Sequence, residues 1–178
     1  DAKDQSGFML LRNERFASVA LKAFSEGFQV NVHAIGDKAN RITIDIIEEC
    51  LKKIPVSDHR TRIEHSQIVS LQDIPRFKTL GIIASVQQTH CTSDMNMAEA
   101  RLGIERIQGA YAWRKFINAG VVIAGGSDFP VENHNPLWGI YSAVTRQDHE
   151  GNPPGGWYPD ERMTINEALH SFTLGPAY

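Results

Sequence analysis

Four short apolar segments, each followed by a helical pattern, set the terms on which this chain can fold. They read as strands over 28–33, 60–65, 82–86 and 121–125. In the first, Phe28, Val30 and Val32 alternate with Gln29 and Asn31, the period of two expected of a strand. The third, Ile82-Ile-Ala-Ser-Val86, is almost continuously apolar, as in a parallel sheet covered on both faces. Between them, apolar residues recur at steps of three and four: Phe16, Val19, Ala20, Ala23 and Phe24, then Ala39, Ile42, Ile46 and Ile47. Asp37 is expected to cap the second of these helices, with Pro55 marking its end. Further helices are expected within 68–80 (Asp73 as cap, Pro75 in the first turn), over 110–119, and near 137–145. A last one ends at Phe172, opened by the capping box Thr164 to Glu167.

Strand followed by helix, four times over, is the βα rhythm of a parallel sheet. The expected fold class is therefore α/β, a partial TIM (β/α)₈-type barrel of about four βα units in one domain over 1–178. A small doubly wound sheet is the competing architecture. The segment 87–107, polar and rich in Met and charge, reads as a long functional loop with a short helix. Phe8-Met-Leu-Leu11 reads as a strand remnant.

Bulk properties narrow the function. A net charge of −3 over 178 residues suggests neither nucleic acid nor an anionic membrane as partner. No apolar run approaches the roughly 20 residues of a membrane helix. The two cysteines, Cys50 and Cys91, lack CxxC spacing and suit a reducing compartment, so a cytoplasmic protein is expected. The chain begins at Asp1 with no signal-peptide pattern and stops shortly after a Gly-Pro, and it reads as a piece of a longer protein.

Chemistry is expected where strands end. His33 closes the first strand and His65 the second, 32 residues on, and Asp128 follows the fourth through Gly125-Gly126-Ser127. In α/β folds, catalytic side chains gather at the carboxyl ends of strands. Singly, either histidine reads as a satisfied residue at a core edge; as a pair at matched positions they read as metal ligands. Asp128 is equally able to cap its loop, or to bind metal and accept a proton from water. His90, beyond the third strand, is a candidate substrate contact. His59, His134, His149 and His170 read as loop or surface residues. Arg62 and Glu64 are expected to form an internal ion pair. Trp157 and Tyr158 either wall a pocket or pack down their loop. No nucleophile elbow, P-loop or dinucleotide fingerprint is present.

The segments His33-Ala-Ile-Gly-Asp37, Arg62-Ile-Glu-His65, Gly126-Ser-Asp-Phe-Pro-Val-Glu132 and Gly155-Gly-Trp-Tyr-Pro159 closely resemble the amidohydrolase superfamily. The branch is the one that holds N-substituted formamide deformylases. Gly109-Ala-Tyr-Ala-Trp-Arg114 and Ala143-Val-Thr-Arg146 extend the likeness over nearly the whole chain. The resemblance implies the second half of a (β/α)₈ barrel and a metal-dependent hydrolase acting on amide-type, non-peptide C–N bonds. It implies His33 and His65 as fifth- and sixth-strand ligands of Zn²⁺ or a similar divalent metal, one or two in the intact enzyme. It likewise implies Asp128 as metal ligand and proton carrier, with His90 near a small-molecule substrate. The family's first-strand His-x-His pair and fourth-strand lysine have no counterpart before His33. The expectation is therefore a half-built site, inactive by itself and holding one ion weakly or none, in a chain that either forms homo-oligomers or joins a missing half. The alternative is a non-catalytic binding module that keeps the half-barrel.

Overall fold

A computed structural model describes residues 7–178. The expectations attached to the very start of the chain lie outside them. Four strands, β1 (Asn31–Ala34), β2 (Arg62–His65), β3 (Ile83–Gln87) and β4 (Ile123–Gly126), pair side by side in chain order, every neighbour parallel. A doubly wound sheet reverses its strand order at a switch point. No reversal occurs here, and the sheet is four consecutive βα units of the barrel type.

Register explains both faces. Val32, Ile63, Ala84 and Ile123 stand opposite one another and form a continuous apolar row, with Ile63 and Ala84 fully buried. The alternate row, His33, Glu64, Ser85 and Ala124, is mostly polar, and Ser85 Oγ donates to Glu64 Oε2 at 2.5 Å. Period-two alternation thus assigns one face to hydrophobic packing and the other to polar groups.

The helices complete the core. α1 (Asn13–Ser25) buries Phe16, Ala20 and Phe24, a stripe at steps of four, and packs on α2 (Asp37–Lys53), which buries Ile44 and Ile47. α3 (Ile74–Leu80) has Pro75 in its first turn and ends at Gly81, whose φ of +70° suits a residue without Cβ. Its Phe77 meets Phe116 of α5 (Trp113–Asn118) edge to face at 5.0 Å, an arrangement that contributes about 0.5–1.5 kcal/mol beyond burial. α6 (Pro136–Thr145) is capped by the Asn135 side chain, and α7 (Ile165–Phe172) by the expected Thr164–Glu167 box, with both reciprocal hydrogen bonds formed. α8 (Leu174–Ala177) lies so close to β4 that a Cβ at Gly175 would come within 2.1 Å of the Ile123 carbonyl oxygen.

Several expectations are corrected. Residues 88–106 are not a loop but the 19-residue helix α4 (Gln88–Arg106), kinked only at Gly103. Its buried stripe, Gln88, Cys91, Met95 and Ala98, has helical spacing, but its first members are polar or ambiguous and conceal the pattern. Phe8 to Leu11 form no strand and are exposed. Arg62 and Glu64 form no ion pair: Arg62 Nη2 donates to the Pro176 carbonyl, whereas Glu64 accepts from Ser85. Asp37 is the first residue of α2 rather than its cap, and its carboxylate pairs with Arg106 across the surface. His59 is buried, bridging Thr61 Oγ1 and the Leu80 carbonyl at 2.8 and 2.7 Å.

Candidate metal centre

His33 lies within β1, one residue before its end, and its exposed side chain stands on the polar row. Simple alternation would put His65 on the opposite, apolar row with Ile63. The backbone prevents this. His65 and the following Ser66 both have positive φ, 76° and 42°. The chain turns at the strand end, and the two imidazoles meet edge to face with centroids 4.5 Å apart. Asp128, two residues past β4, also lies in the left-handed region at φ 56°. Its Oδ2 comes within 4.0 Å of His65 Nε2.

Non-glycine residues in that region are uncommon and concentrate at functional sites. Two of the three expected ligands are held this way. His90, in the first turn of α4, lays its ring nearly parallel to that of His65, with centroids 5.7 Å apart and planes 11° apart. The four side chains singled out in the sequence therefore belong to one rim.

The rim has an unusual polar balance. Nδ1 of His65 and Nε2 of His90 are buried with no hydrogen-bond partner, as is Thr89 Oγ1. Asp128, by contrast, is 41% exposed at the side chain and open to a small molecule. Burial, with His33 alongside, pushes the His65 imidazolium below its usual range, and Asp128 opposes that shift only in part. A histidine held neutral is in the form that binds a metal. Two imidazoles and a carboxylate also suit a hydrolytic divalent ion such as zinc. The donor chemistry thus fits. Among the described residues, however, no group of three His, Cys, Asp or Glu side chains could by itself hold a metal ion.

Trp157 resolves one open alternative. It is buried, edge to face with Tyr111 at 5.6 Å and beside Arg146, and so packs its loop rather than walling an open pocket. Two features of the rim are not legible in the sequence. The left-handed turns at His65, Ser66 and Asp128 carry no glycine or asparagine to announce them. Thr89 lies in the segment whose polar composition reads as a loop.

Residues 2–178 match the family profile described as the amidohydrolase family. The chain is 35% identical to Protein LONG AFTER FAR-RED 3 of Arabidopsis thaliana, over 99% of its own length and 30% of that protein. It is 26% identical to the N-substituted formamide deformylase of Arthrobacter pascens, over 90% of its length and 29% of the enzyme. The crystal structure of an uncharacterized metal-dependent hydrolase from Pyrococcus horikoshii OT3 superposes on 98% of the chain with a TM-score of 0.83 at 30% identity. That match takes in 34% of the archaeal protein. The chain spans about a third of the length of these relatives.

Proposed function

This chain belongs to the amidohydrolase family, and we propose that it supplies one half of the active site of a metal-dependent hydrolase that cleaves amide-type C–N bonds. The observation that carries the proposal is the meeting of His33, His65 and Asp128 on one rim, built by left-handed turns at two of the three residues. His33 and His65 would hold a divalent ion of the zinc type, with Asp128 as a further ligand. When bound, such an ion polarises a carbonyl and lowers the pKa of a bound water to about 7.

The chain's own residues then have defined tasks. Neutral His65 is fixed by burial, so it keeps its lone pair for the ion rather than for solvent protons. The exposed Asp128 carboxylate accepts the proton of the attacking water at Oδ2 and returns it to the departing amine nitrogen. His90, stacked on His65, touches the small-molecule substrate. The remaining donors come from polypeptide beyond the described residues, in the same protein or in a second copy. The free, buried thiols of Cys50 and Cys91 are in keeping with a reducing, cytoplasmic setting.

The test is to purify the intact polypeptide that contains this chain, measure its metal content, and challenge it with N-formyl and N-acyl amides. Hydrolysis that follows metal occupancy and disappears on chelation is the expected result. Stoichiometric metal without turnover across the series would overturn the reading in favour of a non-catalytic binding module.

A further inference from the structure

Asn40 stands in the first turn of α2 and is fully buried. Its side chain leans back toward the start of its helix, as helical side chains do. There Nδ2 donates to the carbonyls of Ala34 and Gly36 at 3.0 Å, and to those of Ile35 and Ile68 at 3.3 Å. Three of these carbonyls make up the link between β1 and α2, directly after His33. The fourth belongs to the loop that follows His65. The partners fix which way the amide faces, since the reversed group would set Oδ1 against four carbonyl oxygens. Oδ1 itself is buried without a partner.

We infer that Asn40 is a positioning residue for the metal centre: it clamps the loop after His33 to the loop after His65 and so sets the spacing of the two imidazoles. The inference rests on the metal centre of the hydrolase reading, not on its turnover. The ladder between β1 and β2 ends with Ala34 opposite His65. At that point His65 and Ser66 take left-handed backbone, and the regular hydrogen bonds of a parallel pair no longer keep the two segments in step. Two contacts take over. The Ile68 N–H donates to the Ile35 carbonyl at 2.9 Å, and Asn40 Nδ2 ties the Ile68 carbonyl to the opposite loop. The two rings, with centroids 4.5 Å apart, are carried by the segments joined in this way. Arg41, the next residue of α2, reaches Asp73 at the start of α3 and so braces helix against helix instead. A packing role alone would be met by leucine, of similar volume, without burying an amide whose acceptor stays unpaired.

The test measures zinc affinity of the intact polypeptide by competition with a chromophoric chelator, and reads coordination geometry from the absorption bands of the cobalt(II)-loaded protein. Asn40→Asp keeps the shape of the side chain but turns an acceptor toward four carbonyls. It is expected to weaken zinc about ten-fold, within the range for groups that orient metal ligands, and to shift the cobalt bands. Ile47→Ala is the control for lost stability. Ile47 is fully buried in the same helix, two turns further on, and its variant should keep native affinity and an unchanged spectrum in the folded fraction. Native zinc affinity with an unchanged cobalt spectrum in Asn40→Asp overturns the clamp, as does an equal loss of affinity in Ile47→Ala. If Asn40→Asp does not fold, Asn40→Ala, which removes the donor without adding charge, makes the same decision. Neither readout needs turnover. An intact protein that binds zinc but cleaves no amide would therefore sink the hydrolase reading alone, with the clamp still decided by affinity and spectrum.

Discussion

The rim at the strand ends and the flank where α5 meets α7 treat polar groups in opposite ways. On the flank, Arg114 reaches Glu167 through both Nη atoms, and Glu167 also completes the capping box with Thr164. Nearby, the fully buried Arg146 gives Nε and Nη1 to the carbonyls of Trp157 and Tyr111. Its guanidinium lies 4.8 Å from the Trp113 ring centroid and 5.3 Å from that of Trp157. On the rim, buried His65, Thr89 and His90 keep polar atoms unpaired, and His65 and Asp128 hold left-handed backbone, as Tyr111 and Arg146 also do on the flank. The flank satisfies most of its groups internally, with Arg146 Nη2 left unpaired, and so holds the fold. The rim gathers three such unpaired side chains at one strand-end edge, the arrangement expected where local rules are broken in favour of function.

Substitutions in the intact polypeptide can break that contrast, beginning with the strongest. Asp128→Asn should lower amide turnover by about 10²–10⁴-fold, the usual range for lost proton transfer. The unfolding midpoint in urea should hardly move, since the side chain is largely open. A large loss of stability would mean that Asp128 serves the fold as well. Arg146→Ala should do the reverse. It strips the Trp157 carbonyl of its side-chain donor, leaves the Tyr111 carbonyl with the Trp113 N–H alone, and opens a cavity between Trp113 and Trp157, at a cost of about 3–5 kcal/mol by denaturation. Loss of turnover beyond the unfolded fraction would place Arg146 in the site.

Glu167→Gln tests the flank by pH. Arg114 holds the Glu167 carboxyl down at about 2, from an ordinary value of 4.5. A depressed carboxylate contributes its stability above the unfolded value and loses it as pH falls toward the folded one. The variant should therefore be less stable by about 1 kcal/mol at pH 7, with the gap closing between pH 4.5 and 2. A gap that stays constant with pH would mean that Arg114 does not depress this carboxyl. The smallest stability effect is expected at exposed His33. His33→Asn should change folding by less than about 0.5 kcal/mol, yet lower the metal content measured by elemental analysis. Unaltered metal content would remove His33 from the ligand set.

Much of this was legible in the chain itself. The strand ends at His33 and His65 came from period-two alternation giving way to helical spacing, and the Thr164–Glu167 box from its spacing alone. Helix α4 is illegible because its buried face opens with Gln88, and hydrophobic periodicity does not register a buried glutamine whose Nε2 donates to Ser171 Oγ at 3.0 Å. His59 reads as a surface residue because nothing local shows that the Leu80 carbonyl, 21 positions away, will receive it. The Arg62–Glu64 pair failed for a related reason. Residues two apart on a strand share a face, but their Cα atoms sit roughly 6.6 Å apart along it, and each side chain found a partner from another element.

By itself, the sequence determined the βα order, the candidate ligands and their places near strand ends, because those follow from local periodicity and short-range turn chemistry. Tertiary structure decided that the strands pair in chain order with no switch point. It also decided that His65 turns across the sheet end to meet His33, and that a helix tip with two unpaired polar side chains stands over the same rim. Pairing partners, positive φ at ordinary residues and the loss of water around a polar atom all depend on contacts between distant segments, and no local pattern carries them.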